Sequence, residues 1–150
     1  MPNLIAHKHP VDIDEFRNAI DTALGSGELG AVETPIRHFH TDELYGRLIT
    51  VPATSIFTTY VHKTDHISIA LQGHITIVDQ DGSVVEVRGP DAFVTKAGTQ
   101  RVVYVHETVV FMTVHACTEQ DDDKVKDVLG YATMAEYEGQ KLLEAAEWHS

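Results

Sequence analysis

Residues 60–73 read Tyr60-Val61-His62-Lys63-Thr64-Asp65-His66-Ile67-Ser68-Ile69-Ala70-Leu71-Gln72-Gly73. The polar triplet Lys63-Thr64-Asp65 separates two β-branched runs, the pattern of two strands joined by a short turn. Alternate side chains of a strand share a face, so Tyr60 and His62 lie on one side. Ile67, Ile69 and Leu71 share a parity that continues into Ile75 and Ile77, which marks that face as the one turned to a core. On a straight strand His66 then faces outward, whereas a bulge at the turn resets the register and brings it inward. In the second case His62 and His66 converge from adjoining strand ends on one divalent metal ion, with His115 or His106 as third ligand from a later strand.

Working outward, residues 44–117 continue as short β-branched and aromatic runs: Tyr45–Val51, Ile56–Val61, Ile67–Val78, Val84–Val87, Ala92–Val94, Arg101–Val105 and Val109–Ala116. Pro52-Ala53, Gln80-Asp81-Gly82, Gly89-Pro90-Asp91 and Lys96-Ala97-Gly98-Thr99 punctuate them, and Asp81-Gly82 is a hairpin signal. Many short strands at regular spacing, with no alternation of strands and helices, predict an all-β sandwich or barrel. On the N-terminal side Asp12 and Glu15 form a capping-box pair, and Ile13, Phe16, Ile20, Ala23 and Leu24 give a helix that ends at Gly25-Ser26-Gly27. Residues 25–36 read as a surface linker, and Glu119–Lys124 as an acidic, solvated turn without the glycine and distal glutamate of a calcium loop. Thr133 and Glu136 start a second helix through about Ala146. The organisation is one structural domain: an arm over 1–36, a barrel over 37–118, and an acidic turn with a helix over 119–150.

Residues 60–73 resemble the first motif of the cupin superfamily, in which two histidines one residue apart precede a glutamate and, seven residues later, a glycine. Gly73 matches the glycine, His62 the second histidine, and His66 stands at the glutamate position, while Tyr60 replaces the first histidine. Residues 89–101 resemble the second motif: Gly98 fits, Lys96 replaces a proline, and Arg101 stands where a metal-binding histidine belongs. The resemblance implies a single cupin-like jelly-roll β-barrel with short N- and C-terminal helices. It also implies a divalent metal site, with His62, His66 and His115 as its ligands here. Tyr60 would then act as the acid–base group and Arg101 as the anchor of a small anionic ligand, with Tyr104 beside Tyr60 in the cavity wall. A His-Lys-Thr-acidic-His stretch and a Thr-Val-His near the last strand are similar to those of small, functionally unassigned cupins of bacteriophage genomes, which implies a viral setting.

Bulk properties narrow the partners. The net charge is −12, with 11 Lys and Arg spread along the chain, which argues against nucleic acid and anionic membranes. Cys117 is the only cysteine, so no internal disulfide forms. No stretch approaches the roughly 18 apolar residues of a membrane helix, and residues 1–7 lack a signal-peptide run, which together predict a cytoplasmic location (host cytoplasm or virion, if viral). Of the ten histidines, His74 is expected on the surface, and His38 and His40 in a surface or interface role. Two functions remain. Loss of motif ligands makes a non-catalytic, oligomeric structural or interaction protein the expected role; the alternative, favoured by retention of paired histidines, is a metal-dependent isomerase, epimerase or oxygenase. Self-association is expected under either.

Overall fold

In the computed structural model, which describes residues 9–148, the chain runs α1 (Ile13–Ser26), β1 (Ile36–His40), β2 (Leu44–Val51), β3 (Ile56–Thr58), β4 (Val61–His62), β5 (His66–Asp79), β6 (Val84–Arg88), β7 (Asp91–Thr95), β8 (Arg101–Ala116), α2 (Asp122–Leu129), β9 (Gly130–Tyr131) and α3 (Met134–Trp148). Two long antiparallel strands, β5 and β8, carry the architecture, pairing from Ile67↔Val114 to Asp79↔Arg101. Their halves belong to different layers. The first half of β5 pairs with β7 and the second with β6; the second half of β8 pairs with β2, itself edged by β1, and the first half with β3. The result is the expected jelly roll, two antiparallel layers sharing their two central strands. Between the layers lie Val51, Ala70, Ile75, Ile77, Val87, Val103, Val105 and Val109.

The strands change layer at a bend with register shifts between Ala70 and Ile75. Gly73 sits there at φ +99°, and a Cβ on it would lie 2.5 Å from the Thr108 carbonyl oxygen and 2.7 Å from Val109 Cα. Both the backbone conformation and the close approach require glycine. The bend inverts the side-chain alternation. His66, Ser68 and Ala70 face inward before it, Ile75 and Ile77 after it, and Ile67 and Leu71 are left 48% and 47% exposed. The core face expected for Ile67, Ile69 and Leu71 is thus corrected: the register resets around Gly73, well beyond the turn, not at it.

The sequence reading of the termini is refined as well. The Asp12 cap forms, with Asp12 Oδ1 accepting from the Glu15 amide at 3.0 Å, and Thr133 Oγ1 accepts from the Glu136 amide at 3.1 Å. Asp14 on α1 reaches across to the start of α3, accepting from the amides of Met134 (3.1 Å) and Ala135 (3.3 Å) and from Gln100 Nε2 (2.8 Å). Within the supposed linker and entry segment, residues 36–40 form an edge strand. The acidic stretch starts α2, because the Asp121 carboxylate caps the Asp123 amide at 2.9 Å and acidic residues suit a helix N-terminus. Arg101–Val105 and Val109–Ala116, read as separate strands, are one. Among the described residues no helix is long and apolar enough to cross a membrane.

Candidate metal centre in the barrel mouth

Three strand ends bring three imidazoles together. β4 is held to β9 by the pairing His62↔Gly130; His66 opens β5 opposite Thr95; His115, near the end of β8, lies opposite Tyr45. Ring centroids are 4.3 Å apart for His62–His66, 4.4 Å for His66–His115 and 5.2 Å for His62–His115, and one nitrogen from each ring lies within 4.8 Å of the others. They line a cavity of about 410 Å³, a size suited to a small molecule.

The chemistry of this set fits a borderline divalent ion. The Nδ1 atoms of His66 and His115 are buried with no hydrogen-bond partner, a costly arrangement unless something accepts their lone pairs. His115 is oriented through its other nitrogen, Nε2, which hydrogen-bonds Thr113 Oγ1 at 2.9 Å. Burial pushes His62 down to about 4 and His115 down to about 3, and the neighbouring imidazoles and Arg47 push the same way. Burial also lowers His66, against the opposing pull of its hydrogen bond to Thr64 and of Asp65. All three are therefore neutral near pH 7, the state that ligates metal.

The remaining candidates distribute unevenly. Tyr60 lines the cavity with His62 as parity requires, its ring flanked by Lys126 Nζ at 4.5 Å and the Arg17 guanidinium at 5.6 Å. Arg101 is also in the wall, but Nε donates to Asp79 Oδ1 at 2.8 Å and Nη1 to Thr95 Oγ1 at 2.9 Å, so its charge is largely answered within the protein. Tyr104 is a correction. Val103 and Val105 take the inward positions of β8, and Tyr104 stands on the outer face, 39% exposed, edge-on to His106. His106, the alternative third ligand, is on that outer face too.

Arg47 escaped the sequence reading. It lines the same cavity, and among the described residues no hydrogen-bond or ion-pair partner is found for it. Its signal was legible: Tyr45, Arg47, Ile49 and Val51 share a parity, so a cation interrupts an otherwise core-facing run. On β1, His38 is an exposed and His40 a half-buried rim residue. His38 Nδ1 hydrogen-bonds the Tyr45 hydroxyl at 2.6 Å, and His40 Nε2 meets Asp122 Oδ1 at 2.5 Å, tying α2 over the mouth. Val125 and Leu129 of α2 are buried there with Tyr45 and Cys117.

No family model and no curated protein matches this chain. Solved structures do. The protein NMB1881 from Neisseria meningitidis superposes with a TM-score of 0.50 at 9% identity, covering 62% of this chain and 93% of that one. A cupin-2 domain protein from Shewanella frigidimarina gives 0.48 at 16% identity (62% and 90% covered), and an RmlC-like cupin with a double-stranded β-helix fold from Methanocaldococcus jannaschii gives 0.49 at 13% (59% and 84%). The likeness is one of fold, and the strand order described above is that of a jelly roll flanked by short helices.

Proposed function

We propose that the barrel holds a divalent transition metal through His62, His66 and His115 and presents it to a small anionic molecule, as a metal-dependent cupin enzyme of isomerase, epimerase or oxygenase type. The observation that carries this reading is the convergence of three neutral imidazoles, two of them buried with unpartnered nitrogens, on one cavity. It moves the weight away from the non-catalytic role that the lost motif ligands suggested, because His66 and His115 supply nitrogens that the motif positions do not.

The metal, when bound, supplies Lewis acidity that polarises a coordinated oxygen. The chain's own groups do the rest. Arg47, with its guanidinium uncommitted, binds a carboxylate or phosphate and offsets the anion's charge. Arg101 is held by Asp79 and Thr95 and serves as a fixed part of the wall. Tyr60 offers a phenolic hydrogen at the cavity edge as the proton-handling group. α2, tied by Asp122 and His40, keeps bulk water from the mouth. Self-association belongs to the same reading. Ile67 and Val94, paired on neighbouring strands, are 48% and 57% exposed, and with Leu44, Phe39 and Leu71 they leave the outer face of one layer apolar.

The test is elemental mass spectrometry on untagged protein purified without chelator, wild type beside the double variant His62→Ala/His66→Ala. Near-stoichiometric metal that disappears in the variant supports the reading. No metal in either protein, after resupply with iron, manganese, nickel and zinc, overturns it in favour of a non-catalytic interaction role.

A further inference from the structure

The geometry points to a second divalent-metal site, on the outside of the barrel, formed by His74, His106 and Glu86 and selective for a borderline ion such as Zn²⁺. One ligand atom from each of these residues lies within 4.8 Å of the others. They come from three neighbouring strands at the bend: His74 on β5, Glu86 on β6 and His106 on β8. The register explains their meeting. His74 pairs with Glu107 and the next residue, Ile75, with Val105, so His106 is the extra residue of a bulge and is turned to the outer face beside His74.

The second observation is an unsatisfied atom. His74, expected at the surface, is only 8% exposed, and its Nε2 is buried with no hydrogen-bond partner. The Glu86 Oε1 atom lies 3.7 Å from it, too long for a hydrogen bond and on the side where an ion would bridge the two. The two imidazoles stack at 4.3 Å with planes 24° apart. Thr76 Oγ1 hydrogen-bonds His106 Nε2 at 2.6 Å, and the Tyr104 ring packs edge-on at 4.8 Å, which together fix the His106 ring and leave Nδ1 as its other nitrogen. Two imidazoles and one carboxylate, with the outward side open for water, is a donor set for zinc-like ions rather than for magnesium or calcium. Bound there, the ion clamps the edge strand β6 to β5 and β8 where both change layer. This site shares no residue with the barrel cluster and does not depend on it.

Histidine-selective NMR of the chelator-treated full-length protein, titrated with Zn²⁺, tests this. The expected result is perturbation of the His74 and His106 ring resonances, with a Zn²⁺ affinity at this site reduced at least about tenfold by Glu86→Gln or His106→Gln. Glu86 and His106 are solvent-exposed positions, so the variants keep the fold. In the His62→Ala/His66→Ala protein the same resonances still respond, and one equivalent of Zn²⁺ is still bound. Ring resonances of His74 and His106 that stay unmoved by excess Zn²⁺ in the wild type, or an affinity within about twofold of wild type in both single variants, would reduce the cluster to a stacked pair of imidazoles and overturn the proposal. Silence at His62, His66 and His115 alone bears only on the barrel site.

Discussion

Lowering the pH from 7.5 to 5 should strip this protein of a large part of its stability, in a window where most small proteins are near their optimum. The sign follows from the histidines. His62 and His115 are lowered from 6.5 to about 4 and about 3, chiefly by burial. The unfolded chain therefore takes up protons below pH 6.5 that the folded one refuses, and the stability present above 6.5 drains away as pH falls toward the folded values. At pH 5 each of these groups has lost roughly 2 kcal/mol of its contribution, about 4 kcal/mol together, against a total that for such domains is about 5–15 kcal/mol. Asp14 does not interfere. Burial raises it, but hydrogen bonds from Gln100, Met134 and Ala135 and the charge of Arg17 outweigh that and hold it below the usual carboxylate range, so its contribution is lost only in stronger acid. Urea unfolding of chelator-treated protein at several pH values between 7.5 and 5 measures the slope, with His62→Gln and His115→Gln each expected to flatten it by about half. A loss below about 1 kcal/mol across that window would refute the reasoning, since it would mean the imidazoles are hydrated and titrate normally.

Asp14→Ala removes the cap that α1 lends to α3 and leaves the amide of Gln100, 1% exposed, without its acceptor. The expected cost is about 2–3 kcal/mol, seen as a melting temperature lower by about 5–10 °C. Gly73→Ala places a methyl 2.5 Å from a backbone oxygen at φ +99°, and should cost about 3 kcal/mol or more in urea unfolding. Unchanged stability would mean that the bend tolerates a side chain. Glutamates at Ile67 and Val94 should convert an associating protein to monomers in multi-angle light scattering with unchanged circular dichroism. A wild type already monomeric at high concentration removes the self-association reading.

What could be read from residues alone depended on whether the pattern was local. Asp12 with Glu15 and Thr133 with Glu136 announce helices because capping involves only the next turn. The strands between Leu44 and Ala116 announce themselves by β-branched runs and turn residues. β1 did not, because its inward positions carry Ile36, His38 and His40 and its outward ones Arg37 and Phe39, an alternation that says nothing about which face is buried. α2 was hidden by its three aspartates, although Val125 and Leu129, four residues apart, mark its buried stripe. The hardest element was β5. A straight strand would put Ile67, Ile69, Leu71, Ile75 and Ile77 on one apolar face; the fold instead exposes Ile67 and Leu71 and turns His66 and Ser68 inward. Only the backbone of Thr108 and Val109 pressing on Gly73, a contact 35 residues away in sequence, decides between them. That the apolar pattern loses at the residue which completes the histidine cluster is where local and global preferences are expected to part at a functional site. Tyr104 failed for a simpler reason: its strand neighbours Val103 and Val105 had the stronger claim to the interior.

The placement of β8 also has a consequence for how the chain is made. This late strand is the partner of β2, β3 and β5, joining residues as far apart as Leu44 and Ala116. Until residue 116 has left the ribosome, the earlier strands have only their hairpins, and the edges of β2 and β5 wait unpaired. Closure is then a late event across long sequence separations, the kind that is slow for topological reasons. A nascent chain held at that stage shows its alternating aliphatic strands to whatever chaperone or aggregate is near, so the yield of folded protein should respond more sharply to elongation rate and holdase supply than its finished stability would suggest.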